Sequence, residues 1–582
     1  MQASGAKIGM ITALLCLLSA CGAPAVPKTM NYRLCQECHQ GIERISAGHD
    51  FECGTCHLHP EQQRILFLTD HTAVVRNPSD PRWVSLFCGK CHGREIAAVT
   101  TSLHGTMAGV INQTRYLWGA QESALPPLYS ANDALKPIPD PVPRPQDPSE
   151  LVDDFLRRKC LRCHLQATGG SDRGLFRASG CAACHVLYSD DGRYEGADKA
   201  VDKRKQGYPQ AHRFTKKIED RQCLHCHNQN NVGADYHGLF ARDHHQSYRA
   251  RTREGSPSPK LYGSDHHYLS RDVHAEKGLW CIDCHSKREV MGDGNLYGHA
   301  LAVPMIQCSD CHGGFSRKQP DPAVRGIEQW EGVFSFNSAH TGRTHPLPLF
   351  SAKTSGHGIA AHQQIRCSAC HAQWSFQDYG LSVIREDFPD YQKWGALTDQ
   401  ADPYLSRFVG EQLKLEKNDP PVSPDLLSGA RNSGLWYSGW RLRRWEWMPL
   451  GLDQNGRVSI LRPRYQYLVS YMDSLGNVTL DSRIPQRGDR NGAGWAFMPY
   501  SPHTTAPTGR SCESCHMNPI AAGKGWFEGS TADLSLTIPC PPSIPSMTLL
   551  TPETTQRLLN PSDVYMRKRL KAAIGTNSSA GD

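Results

Sequence analysis

Twenty of the 23 cysteines in this 582-residue chain fall into ten copies of one pattern, C-x-x-C-H. Residues three apart lie on one side of a helical turn, so the two thiols of each copy can reach the two vinyl groups of one porphyrin. The histidine that follows then lies under the iron, and the pattern predicts covalent attachment of c-type haem. The thiol pairs are Cys35 and Cys38, Cys53 and Cys56, Cys88 and Cys91, Cys160 and Cys163, and Cys181 and Cys184. They continue with Cys223 and Cys226, Cys281 and Cys284, Cys308 and Cys311, Cys367 and Cys370, and Cys512 and Cys515. The proximal iron ligands expected from them are His39, His57, His92, His164, His185, His227, His285, His312, His371 and His516. A disulfide framework or a set of zinc sites would explain paired cysteines. Neither explains a histidine after every second cysteine, so the expected cofactors are ten c-type haems.

An electron-transfer haem of this type takes a second imidazole on its other face. Eighteen of the 28 histidines are not the closing residue of a motif, enough for ten such ligands without invoking zinc or copper. The candidates are His49, His71, His104, His212, His237, His266, His274, His299, His362 and His503. His274 stands seven residues before Cys281, with Gly278 between them to let the chain turn. His299 stands nine residues before Cys308, as His503 stands nine before Cys512. His59 follows His57 too closely to serve the same iron, though it can serve another. His225 lies inside its own C-x-x-C loop and reads as a spacer. The doublets His244-His245 and His266-His267 can each place one ring inward and one outward. Of His340, His345, His357 and His362, one or two are expected to ligate iron. No residue is assigned a catalytic role.

Elements must position these side chains, and composition limits which. Only 39% of the chain is apolar, and it holds 51 glycines and 39 prolines, a poor basis for an aliphatic core. Haems would supply flat, rigid apolar bodies for the chain to wrap. The fold class expected is therefore a multihaem cytochrome c of short α-helices and irregular coil round stacked haems. The formal charge of +7 does not indicate nucleic acid. Each oxidised haem with two ionised propionates contributes about −1, which brings the holoprotein near neutrality.

Haems 1–3 are assigned to residues 21–121 and a proline-rich linker or strap to 122–150. Haems 4–9 are assigned to 151–371, a haem-free insertion to 372–511, haem 10 to 512–530 and a tail to 531–582. Within the insertion, alternating aromatic and β-branched residues broken by DQNG and SLGN predict a small antiparallel sheet near 435–485. Trp436, Trp440, Trp445 and Trp447 read as its core. Arg441, Arg443, Arg444, Arg462 and Arg464 read as a basic surface for haem propionates, or for an anionic acceptor. In the tail, 562–574 predicts an amphipathic helix stopped by Gly575. Cys540 is an odd thiol, expected to be inert.

Residues 1–20 have the form of an export signal: Lys7, an apolar run from Ile8 to Leu18, and small residues before Cys21. The run is too short to span a bilayer. The LSAC ending resembles a bacterial lipobox, which implies lipidation of Cys21 and loss of Cys16 with the signal. Gly22, in place of aspartate, implies the outer membrane. The expected location is an exported outer-membrane lipoprotein on its periplasmic or cell-surface face.

Three stretches resemble the multihaem c-type cytochromes of bacteria that respire extracellular metal oxides: DVHAEKGLWCIDCHSKREVMGDG at 272–294, WEWMPLGLDQNGRV at 445–458, and PHTTAPTGRSCESCHMNP at 502–519. The resemblance covers about half the chain in patches, and the C-x-x-C-H motif itself occurs on unrelated folds. It implies an electron conduit at the cell envelope with bis-histidine haems stacked closely enough for electrons to hop. Its expected partners are other envelope redox proteins, the outer membrane through the lipid anchor, and extracellular metal oxides or another acceptor. One alternative is a multihaem reductase of a small nitrogen or sulfur compound, although no C-x-x-C-K variant is present. A second is a subunit of a polymeric cytochrome filament.

Overall fold

The computed structural model describes residues 33–59, 71, 74–229, 233–242, 260–353, 356–374, 377–390, 393, 402–415, 419–444, 448–464, 467–523 and 548–560. The export segment, Cys16, Cys21, Cys540, His244, His245, Trp445, Trp447 and the helix expected at 562–574 lie outside these residues.

Most of the C-x-x-C-H copies, numbered here as sites 1 to 10 in chain order, form isolated helical turns. Cys53–His57, Cys308–His312 and Cys367–His371 are examples of five residues each. Two turns are capped by a residue inside the motif. Asp283 accepts from the Trp280 N–H at 2.8 Å, and Asp310 from the Gln307 N–H at 2.8 Å. Each carboxylate thus satisfies an otherwise unpaired donor of its own short helix. Gly278 turns the chain between His274 and site 7 with φ +84°, a left-handed conformation that suits glycine.

Longer helices frame the turns. Helix α1 (Val84–Thr101) carries site 3 and bends at His92, where φ/ψ is −115°/25°. Helix α2 (Ala108–Leu117) and helix α3 (Pro148–Arg158) pack together, and α3 leads directly into site 4. Asp147 caps α3 by accepting from the Ser149 N–H, and proline occupies its first turn. The main apolar core forms here. Trp118 stacks on Phe155 at 5.1 Å, and Phe155 meets the edge of Trp436 at 4.9 Å.

The stretch 122–150 runs over this core as a strap, packing a few residues into it while Leu128 and Val142 stay exposed. Ala124 and Ile138 belong to the main cluster, and the Asn112 side chain accepts from the backbone of Leu128 and Tyr129. Proline-rich composition marks an extended backbone but leaves its packing undetermined.

The haem-free segment forms two four-stranded sheets. In the first, β1 (Gln377–Glu386) lies between β2 (Leu435–Arg444) and β5 (Tyr467–Met472), with β6 (Val478–Arg483) outside β5. In the second, β4 (Val458–Arg464) lies between β3 (Leu450–Leu452) and β7 (Ala496–Tyr500), and β8 (Thr548–Leu549) borders β3. The sheet predicted from sequence is therefore too small and too uniform. It begins at Gln377, and the β1–β5 pairing is parallel, with Val469 opposite Val383. A parallel pair needs a long crossover between its strands, which no tight-turn signal announces. The two predicted turns are tight: Asp453 and Asp473 accept backbone N–H groups of their own loops, and Gly456 and Gly476 take φ of +69° and +84°.

The sheets are tied to α3 through one buried carboxylate. Asp154 accepts from Arg158 at 2.6 Å, Arg385 at 2.5 Å and the Trp436 indole at 2.6 Å.

Candidate metal centres

Two imidazoles on opposite sides of one metal ion, each bonded at about 2 Å, put their ring centres about 6 Å apart. Eight of the ten motif histidines have another histidine at that separation. His39 faces His71 at 6.2 Å, His57 faces His212 at 6.1 Å, and His92 faces His49 at 5.9 Å. His227 faces His104 at 6.0 Å, His285 faces His503 at 6.1 Å, and His312 faces His274 at 6.1 Å. His371 faces His357 at 5.9 Å, and His516 faces His362 at 6.1 Å. The ring planes cross at angles from 18° for His49 and His92 to 78° for His39 and His71.

For many of these rings a hydrogen bond indicates which nitrogen is turned away from the partner. A carbonyl oxygen only accepts, so an imidazole nitrogen bonded to one carries the proton. Nδ1 donates in this way from His57 to Val75, from His104 to Val290, from His185 to Thr215 and from His212 to Glu43, at 2.8–3.0 Å. The same holds from His312 to Pro348, from His362 to Gly356 and from His516 to Leu558, at 2.7–2.9 Å. Carboxylates take the role at His39 (Asp198), His274 (Asp272) and His285 (Glu289), all at 2.7 Å. With the proton on Nδ1, Nε2 keeps its lone pair for a metal, and the outer bond raises its basicity. Two such lone pairs aimed at each other repel unless a cation lies between them.

The donor set distinguishes among metals. Among the described residues, no group of three or more His, Cys, Asp or Glu converges on one point. A bare zinc site takes about four protein ligands. Two axial imidazoles beside a C-x-x-C pair suit a planar ring that brings its own four nitrogens. Burial pushes the thiols of Cys160, Cys184 and Cys284 up to about 12, whereas neighbouring thiols hold Cys163 and Cys367 down to about 6. A cavity of about 480 Å³ opens at site 9, lined by Cys370, His371, Gly509 and the cationic Arg271 and Arg510. Its size lies within the usual range for cofactor sites, about 300–1,000 Å³.

His49, His71, His104, His212, His274, His362 and His503 therefore each stand opposite a motif histidine, but often not the nearest one in sequence. His274 faces site 8 in place of its own neighbour, site 7, which His503 serves. Three candidates lie elsewhere. His237 bonds Arg271 through Nδ1 at 3.0 Å, and its Nε2 lies 2.9 Å from the Asp220 carboxylate. His266 packs edge-on against Tyr262, and Nδ1 of His299 accepts from the Leu301 N–H. Opposite His164 and His185 no histidine ring stands at the 6 Å spacing among the described residues.

Sequence reasoning offered His357 only as one of four histidines in its loop, and the structure sets it opposite site 9. Its only signal is its position five residues before His362, which lets one loop serve two neighbouring sites. His225 also differs from a simple spacer: it is buried, and its Nδ1 donates to the Gly174 carbonyl at 2.7 Å. Of the predicted sheet tryptophans, Trp436 is buried in the core. Of the arginines, Arg462 lies over the Tyr500 ring at 4.3 Å.

No helix among the described residues is long and apolar enough to cross a membrane. No protein-family model matches the chain, and no solved structure matches it.

Proposed function

We propose that the chain is a decahaem c-type cytochrome that carries electrons along a row of mostly bis-histidine haems at the cell envelope. The observation that supports this best is the set of eight facing histidine pairs, each beside a C-x-x-C turn, with both rings bonded outward through Nδ1 at His57–His212, His312–His274 and His516–His362. Bound haem supplies reversible one-electron exchange at its iron. The chain's own residues hold two imidazoles on fixed axes, so the coordination shell changes little when the charge on the metal changes. They also exclude water by packing, and they set each potential through the partner of Nδ1.

A reductase of a small nitrogen or sulfur compound needs an exchangeable position at an iron, and eight sites present a histidine on each side. A filament that borrows a ligand from a neighbouring subunit is unnecessary at those sites, because one chain supplies both rings. The LSAC ending at Cys21 places the molecule, on this reading, as an outer-membrane lipoprotein passing electrons to an envelope or extracellular acceptor.

Haem counting and magnetic circular dichroism of the purified full-length protein test the proposal. Ten haems are expected, with eight or more low-spin irons of bis-imidazole type. In His362→Ala one further iron, that of site 10, becomes high-spin and binds carbon monoxide when reduced. Fewer than eight low-spin irons, or no covalently bound haem, would overturn the reading.

A further inference from the structure

One short stretch of chain, 500–510, is bonded to ligand-bearing residues of three sites. It leaves strand β7 at Tyr500, carries His503 opposite His285 of site 7, and ends just before Cys512 of site 10. One edge of its backbone pairs with the turn of site 9. The Gln373 N–H donates to the Thr504 carbonyl at 3.0 Å, the Ala506 N–H to the His371 carbonyl at 2.7 Å, and the Arg510 N–H to the Cys370 carbonyl at 2.7 Å. The Thr504 hydroxyl returns a bond to the Gln373 carbonyl at 2.7 Å. The turn of site 9 is thereby held in register with His503.

The same stretch also meets two buried carboxylates. Asp235 is 0% exposed and accepts from Tyr500 Oη at 3.0 Å and from the His503 N–H at 3.1 Å. Asp272 is 2% exposed, and its two oxygens are divided between two segments. Oδ2 accepts from the Thr505 N–H at 2.6 Å, while Oδ1 accepts from the His274 N–H at 2.9 Å and from His274 Nδ1 at 2.7 Å. His274 is the ring that faces His312 of site 8. Next to Asp272, the Val273 N–H donates to the Thr505 carbonyl at 2.9 Å, so both backbone groups of Thr505 are engaged there. The Asp272 N–H donates to the Tyr236 carbonyl at 3.1 Å, which joins the segments that carry the two carboxylates.

We propose that Asp235 and Asp272 are positioning residues of one clamp, which sets the distal rings of sites 7 and 8 against a single strand already keyed to site 9. This rests on the cytochrome reading above and adds that these sites are adjusted together. Asp272 cannot turn to follow the His274 ring without releasing Thr505, two residues from His503. A displacement of one distal ring is therefore passed to the other. An asparagine at 272 separates the two bonds: its oxygen still accepts from His274, whereas its nitrogen is a donor and cannot accept from the Thr505 N–H. Loss of the charge has its own effect. A carboxylate behind Nδ1 makes the imidazole a stronger ligand and favours the oxidised iron, so its removal raises the midpoint of site 8.

Magnetic circular dichroism and redox titration of the full-length holoprotein test the clamp. His274→Ala and His503→Ala first mark the signals of sites 8 and 7, each by turning one iron high-spin. In Asp272→Ala, with ten haems by count, the signals of both sites are expected to move while those of sites 1 to 3 stay. A change at site 8 alone, or at neither site, would overturn the clamp and leave the cytochrome reading intact. If Asp272→Ala does not accumulate with its haems, Asp272→Asn decides. Site 8 should then stay low-spin with a raised midpoint, and the signal of site 7 should shift; a site 7 signal identical to that of the unaltered protein would sink the shared role. An unaltered protein without bound haem would overturn the parent reading instead.

Discussion

On the proposed reading a ligand histidine turns one ring nitrogen to the iron, and the partner of the other distinguishes the sites. A carbonyl behind Nδ1 orients the ring, whereas a carboxylate also makes it more electron-rich. Glu289 holds the His285 imidazole above its ordinary value through their 2.7 Å bond. More basic axial ligands stabilise the oxidised iron, so site 7 should lie among the lower potentials of the row. Glu289→Gln keeps the shape and removes the charge. A spectropotentiometric titration should then show the midpoint of site 7 rising while the low-spin count is unchanged; an unmoved midpoint would sink the role given to Glu289.

Loops position the distal rings, and single side chains organise those loops. Glu43 is the clearest case. Its carboxylate accepts from Tyr194 Oη at 2.7 Å, the Ala197 N–H at 2.5 Å and the His212 N–H at 3.1 Å, while its carbonyl accepts His212 Nδ1. Burial opposes ionisation, but these donors outweigh it and hold the carboxyl down to about 2 from an ordinary 4.5. A carboxyl depressed in the folded state contributes stability that is present above its unfolded value and lost as pH falls through the folded one. Between about pH 4.5 and pH 2, then, the site 2 loop should loosen and His57 should lose its facing ring. Acid titration followed by the low-spin absorbance should show this step, and Glu43→Gln should abolish its pH dependence.

At the scale of the whole molecule, the β-rich segment and the body that carries the C-x-x-C-H turns share one core. Asp154 is 2% exposed and is bonded by two guanidinium groups and an indole. In Asp154→Ala, Arg158 and Arg385 lose their shared counter-charge in a buried setting. Breaking such a group costs about 3–5 kcal/mol. Guanidinium unfolding of the holoprotein should show a lower midpoint with the haem count still at ten. An unchanged midpoint would mean that the sheets contribute little to holding α3 and site 4.

The C-x-x-C-H turns and the tight turns after Asp453 and Asp473 were legible in the residues because each is complete within a few positions. C-x-x-C-H works within one helical turn, and no distant residue alters its spacing. The facing histidines were legible only as a set of possibilities. His503 and His285, or His104 and His227, lie far apart along the chain, and only the folded path brings their rings to 6 Å. The pairing of His357 and His362 with sites 9 and 10 and the parallel β1–β5 pairing were decided in the same way. Each depends on which surfaces pack together, and packing is a property of three-dimensional contact that linear spacing does not encode.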